Sequence, residues 1–197
     1  MGAYLAILGC KFVCIYCKVL AILFKHQVKI VHLNEFNQSP PAELENRLKH
    51  CVPIQSWGQA IIAARPFSSI QKVLDYAAQL SQTWTWDEVQ SALDMHPRIG
   101  EKRAKTELSP TEQAFSEREQ AQLQTNKETQ QALITANIAY EKKYGYIFLI
   151  KASGLNVNDI LTALNYRLKN DPETEQRIVK QQLSEIAILL LTQELTA

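Results

Sequence analysis

The sequence has no surplus of charge: 21 Lys and Arg face 20 Asp and Glu, a formal net of +1 over 197 residues. That balance removes the electrostatic argument for nucleic acid or strongly acidic partners. Internal repeats and low-complexity segments are lacking, which sets aside solenoids and disordered arrays. Strongly β-patterned runs are scarce, so the class expected is all-α. No Gly-rich phosphate loop, metal-ligand cluster or cofactor lysine motif is visible, so no cofactor and no metal are expected. The length suffices for one domain with a real core.

Methionine is also missing between Met1 and Met95, which bears on the first 29 residues. The run MGAYLAILGCKFVCIYCKVLAILFKHQ is apolar and about long enough for a membrane span. Lys11, Lys18 and Lys25 recur at a seven-residue interval, so a helix would carry them as one polar stripe. Two of them would fall inside any span, at a cost of about 2.5–3.5 kcal/mol each. A helix lying in the membrane surface with its lysines snorkelling is the easier membrane reading of residues 1–27. The competing reading is an extension outside the domain, with true initiation near Val28. A secretory signal fits poorly, and Gly2 lacks the hydroxyl residue at position 6 that myristoylation needs. Cys10, Cys14 and Cys17 have the spacing of a radical-SAM iron–sulfur site, but such a site needs an α/β barrel that nothing downstream suggests. Cys51 reads as a small buried side chain. A reducing compartment, and so a cytoplasmic location, is expected.

From residue 30 to 197 the pattern is that of a single compact multi-helix domain with one short extended segment. Ser39-Pro40-Pro41 opens a helix with Leu44 and Leu48 on one face. Trp57, Ile61 and Ile62 mark a second that ends at Arg65-Pro66. Ser68 or Ser69 caps a third, carrying Ile70, Val73, Leu74 and Ala77. Arg65 is expected to be a helix-end arginine, the alternative being a partner for buried backbone. A long helix over 126–144 stops at Gly145, a suitable C′ residue, and Asn137 on its inner face should tie a neighbouring segment. Residues 146–152, YIFLIKA, form the one strand-like run. Two helices close the chain, the second starting at Asp171-Pro172.

The chemistry-bearing stretch is Met95-His96-Pro97-Arg98-Ile99-Gly100. A capping box of Thr85 and Glu88 starts the helix before it, Pro97 forces His96 out of helical geometry, and the imidazole sits on a stiff corner. Downstream, Ser109-Pro110-Thr111-Glu112 starts a helix on which Ser116, Glu119 and Gln120 fall at i, i+3 and i+4, on one face. A hydroxyl, a carboxylate and an amide there can grip a polar heterocycle, and with a histidine they make an acid/base site. Spacing alone favours a blander picture, a helix-end histidine and a solvated polar face.

Taken together, HPRIG, SxxEQ, Ala63-Ala64-Arg65-Pro66-Phe67, Asn137-x-x-Tyr140, Tyr144-Gly145-Tyr146-x-Phe148-Leu149-Ile150, and Arg167-Leu168-x-Asn170 with Glu175 resemble the OHCU decarboxylase family of urate breakdown. The resemblance covers roughly residues 30–195 in order. It implies cofactor-free decarboxylation of 2-oxo-4-hydroxy-4-carboxy-5-ureidoimidazoline to (S)-allantoin. His96 and Glu119 become catalytic, with Pro97, Ser116, Gln120 and the extended segment Phe148, Leu149, Ile150, Lys151 and Ala152 contacting substrate. It also implies a functional link to hydroxyisourate hydrolase and a urate-oxidising enzyme. A homodimer through an apolar helix face is the usual habit of helical proteins of this size.

The pattern departs from the family at Leu190, where members usually carry a substrate-holding arginine and no arginine follows Arg177. A leucine neither pairs with a carboxylate nor donates a hydrogen bond. A non-catalytic helical binding protein on the same scaffold is therefore the second expectation.

Overall fold

A computed structural model describes residues 31–94 and 128–196. The leader with its three cysteines and the stretch carrying His96, Pro97, Ser116, Glu119 and Gln120 lie outside the described residues. Among the described residues the fold is helical, as expected. The helices are α1 (Leu33–Gln38), α2 (Pro41–Cys51), α3 (Gln55–Ala63), α4 (Ile70–Ser81), α5 (Trp86–Asp94), α6 (128–144), α7 (Val157–Arg167) and α8 (Pro172–Glu194). None of these is long and apolar enough to cross a membrane. The described residues fall into two compact units. One takes 31–94, 149–151 and 170–196; the other takes 128–148 and 152–169.

The larger unit is built on α8, which at 23 residues is about 35 Å long. It packs against α2, α4 and α5, while α2 meets α3 and α3 meets α4. Leu44, Leu48, Trp57, Ile61, Val73, Ala77, Val89, Leu93, Val179, Leu183, Ala187 and Leu191 are all buried. Each large aliphatic among them contributes about 2 kcal/mol by leaving water. Trp57 meets Trp84 edge-on at 6.2 Å, and its indole N–H donates to the Ala77 carbonyl at 2.9 Å. At Gly58 a Cβ would make only ordinary contact with the Leu48 side chain, at 3.6 Å. The hydroxyls of Ser81 and Ser184 pair inside this core, joining α4 to α8.

Local chemistry sets the helix ends. Ser69 caps α4 by accepting from the Lys72 N–H at 3.2 Å, a contact worth about 1 kcal/mol. The expected capping box on α5 is present: Glu88 accepts from the Thr85 N–H at 2.8 Å and Thr85 accepts from the Glu88 N–H at 3.3 Å. Asp171 caps α8 with Pro172 at its first position. At α2 the N-cap is Pro40, with no side-chain bond. Ser39 serves the preceding helix instead, its hydroxyl donating to Glu35 O at 2.7 Å.

The expected strand-like run 146–152 forms no ladder. Pairing occurs where two-residue strands meet in parallel, β1 (Val31–His32) against β2 (Leu195–Thr196). Such pairing is invisible to local pattern, because its partners come from opposite ends of the domain.

In the smaller unit α6 lies beside α7. Gly145 follows α6 at φ +81° and its N–H closes the last turn onto Glu141 O at 2.8 Å, a conformation that favours glycine. The end of α6 caps the end of α7: Tyr144 Oη donates to Arg167 O at 2.8 Å and Lys143 Nζ to Leu168 O at 2.7 Å. Helix α7 itself starts with an unforeseen capping box between Asn156 and Asp159.

Candidate active site

Of the residues expected to touch substrate, the structure describes Phe148, Leu149, Ile150, Lys151 and Ala152. They form an irregular extended stretch. Phe148 and Leu149 are buried, and Ile150, Lys151 and Ala152 are half-buried.

Phe148 sits in an aromatic nest of the smaller unit. Its ring meets Tyr140 edge-on at 5.1 Å, and Tyr140 in turn meets Tyr144 at 4.6 Å and Tyr146 at 6.0 Å. The Arg167 guanidinium lies 4.5 Å above the Phe148 ring and 5.9 Å from that of Tyr140, and is buried. A desolvated cation over two ring faces is held electrostatically by about 2 kcal/mol. Arg167 Nη2 also donates to Tyr140 Oη at 3.4 Å. At the far end of the stretch the Ala152 carbonyl accepts from the Leu155 N–H at 3.0 Å, and Gly154 turns the chain at φ +83°.

In the larger unit, α8 holds Lys151. Its backbone N–H donates to Gln182 Oε1 at 2.8 Å, and its Nζ lies 3.1 Å from Glu185 Oε2. The Lys151 N–H is thus engaged by α8. Gln182 and Glu185 drew no notice in the sequence, and a polar residue on a mostly solvated helix face carries no local signal of such a role.

Arg65 proves to be more than a helix-end residue. Its Nε donates to Ile62 O at 3.0 Å, ending its own helix. Its Nη1 reaches the carbonyls of Phe36, Asn37 and Ser39 at 3.0, 3.3 and 2.8 Å. The alternative expectation, a backbone partner, is the one observed, because the last carbonyls of α1 need donors. Beside it Asn37 clasps Phe67 both ways, accepting from its N–H and donating to its carbonyl, each at 2.9 Å. The Arg65–Pro66 peptide is cis. Asn137 corrects an expectation: its buried amide donates to Leu133 O at 2.8 Å, one turn back on its own helix.

Helix α5 precedes His96 in the chain. Helix α5 buries Val89, Ala92 and Leu93 and is tied to α3 by the Ser56 hydroxyl donating to Glu88. That hydrogen bond, then those from Thr85, hold the Glu88 carboxyl below its ordinary range. Cys51 is buried as expected. Burial pushes its thiol well above the ordinary range, the Glu194 charge adding to the effect. Leu190 is a half-buried residue of α8.

The family model described as OHCU decarboxylase matches residues 37–191. A "Uric acid degradation bifunctional protein" of Bacillus sp. (strain TB-90) is 24% identical over 82% of this chain. The chain spans 32% of that protein's length. A "2-oxo-4-hydroxy-4-carboxy-5-ureidoimidazoline decarboxylase" of Haloferax volcanii is 26% identical, over 68% of this chain and 78% of its own. An OHCU decarboxylase crystallised in the presence of (S)-allantoin superposes with a TM-score of 0.59 at 26% identity, covering 76% of this chain and 96% of that one. An (S)-allantoin synthase shares the fold, with a TM-score of 0.62 at 16% identity over 84% of this chain and 54% of its own. Sequence runs, helical architecture and a match spanning most of the chain agree: this chain belongs to the OHCU decarboxylase family.

Proposed function

We propose that the chain decarboxylates 2-oxo-4-hydroxy-4-carboxy-5-ureidoimidazoline to (S)-allantoin without a cofactor. The observation that carries this is that HPRIG at 96–100 and SxxEQ at 116–120 stand intact inside the matched span 37–191. Breaking the bond to carbon dioxide leaves its electron pair on the ring, where conjugation spreads it until a proton arrives. His96, with an ordinary pKa of about 6.5, carries such a proton near neutral pH. Glu119 orients the imidazole and stabilises its charged form. Ser116 and Gln120 hold the ring and ureido group, so that one face alone is protonated and the product is a single enantiomer. The stretch Phe148–Ala152, with Pro97, completes the substrate's surroundings. The substrate comes from urate through a urate-oxidising enzyme and hydroxyisourate hydrolase, and the enzyme works in the cytoplasm.

One observation favours a second reading, a binding protein that has lost catalysis. Position 190, half-buried on α8, carries no cation to meet the substrate's carboxylate.

The test generates the substrate in situ from urate with the two preceding enzymes and follows product circular dichroism in the presence of the full chain. The decarboxylase reading expects fast appearance of chiral allantoin, abolished by His96→Ala and Glu119→Ala. An achiral signal no faster than in buffer, with the substrate still bound, would replace it by the binding reading.

A further inference from the structure

Lys151 is gripped at two points by one face of α8, through its N–H on Gln182 and its Nζ on Glu185. Gln182 and Glu185 stand three apart on the helix and so emerge side by side. Glu185 is itself steadied, its Oε1 accepting from Gln181 Nε2 at 3.0 Å. In a stretch without a ladder, these contacts do what a neighbouring strand would otherwise do.

They also aim a neighbouring group. The peptide between Ile150 and Lys151 is trans, the cis bond among the described residues being Arg65–Pro66. In a trans peptide the N–H and C=O point in opposite directions. An N–H fixed towards α8 therefore turns the Ile150 carbonyl away from it. Among the described residues no hydrogen bond reaches that carbonyl. A half-buried acceptor of fixed direction calls for a donor.

We propose that Gln182 and Glu185 are positioning residues: by clamping Lys151 they aim the Ile150 carbonyl at an N–H of the ureido substrate. The proposal rests on the decarboxylase reading above. An acceptor already aimed needs no ordering when the substrate binds, and that is where it gains affinity. The two contacts are unequal. Gln182 holds backbone directly, whereas the Lys151–Glu185 pair is 39% and 34% exposed and is weakened by solvent screening.

The experiment measures KM and kcat for the full chain and its variants on enzymatically generated substrate, with Tm and hydrogen exchange of the Lys151 amide alongside. Gln182→Leu removes the acceptor and raises KM about tenfold, the scale of one lost hydrogen bond, with kcat within about twofold. Gln182→Glu keeps an acceptor oxygen and restores KM to within about twofold of wild type. Glu185→Gln raises KM by no more than about twofold, and the difference disappears at high salt. If Gln182→Leu does not fold, Gln182→Thr serves the same comparison. Loss of Lys151 amide protection with KM unchanged overturns the proposal, leaving Gln182 a purely structural prop. A wild type that makes no chiral product sinks the decarboxylase reading and the clamp together. An active wild type indifferent to Gln182 sinks the clamp alone.

Discussion

Two arginines in the runs that mark this family use the same side chain in opposite ways. Arg65 is half-buried and directs its fork at main-chain oxygens, gathering the ends of α1 and α3 through four carbonyls. Arg167 is buried and sets its guanidinium carbon over the Phe148 and Tyr140 rings, at 4.5 and 5.9 Å from their centres. The first exploits the planar donor set of guanidinium, the second its weak hydration and delocalised charge. On this comparison the positive charge is expected to matter less at Arg65 than at Arg167. Carbonyls ask only for donors, whereas a ring face asks for a cation.

The comparison is most open to attack at Arg167. Arg167→Met keeps an apolar stem but no cation, and is expected to lower stability by about 3 kcal/mol, measured by urea unfolding. A loss below about 1 kcal/mol would mean that the rings hold Phe148 without the charge. Arg65→Met should cost less, about 2 kcal/mol, since water reaches some of the orphaned carbonyls. Arg65→Lys should recover under half of that, because one ammonium cannot span three separated oxygens. A lysine as good as arginine here would erase the distinction between fork and charge.

The smallest effect sharpens the contrast through pH. The carbonyls that Arg65 holds carry no titratable group, so the cost of Arg65→Met should be the same at pH 7 and pH 4. Glu88 behaves differently. Its hydrogen bonds from Ser56 and Thr85 depress its folded pKa, so the stability it adds is present above the ordinary value and is lost as pH falls through the folded one. Comparing wild type with Glu88→Gln should reveal a gap on the order of 0.5 kcal/mol at pH 7, typical of an exposed cap. That gap should shrink as pH falls through the folded pKa; a gap unchanged with pH would show the carboxylate's charge to be irrelevant.

The sequence carried the helices well, because their signals are short-ranged. Thr85 with Glu88, Ser69, Asp171-Pro172 and Gly145 mark ends by contacts of three or four residues, and Leu44, Leu48 and Val73 mark faces by period. What stayed hidden depends on distance along the chain. Three of the four carbonyls that Arg65 serves lie 26 to 29 residues away, and Gln182 lies 31 residues from Lys151. No local rule says that a glutamine on a helix will replace a strand as the partner of an extended stretch. Nor does one reveal that Asn137, on an inward face, bonds its own helix. In the candidate site the chemistry-bearing runs were legible as residue types, while the props behind Phe148 and Lys151 were not.

The parallel meeting of Val31 and His32 with Leu195 and Thr196 sets the terms on which this fold can be rewired. Because the two strands run parallel, joining residue 196 to residue 31 in place of residues 1–30 takes a crossover of about a dozen residues. Reconnecting the chain there and opening it at the exposed Gly154 turn would yield a circular permutant. In that molecule the α1 entry and the α8 exit become one continuous stretch. The seam between residues 31–32 and 195–196, now a contact of four residues, would then be closed covalently.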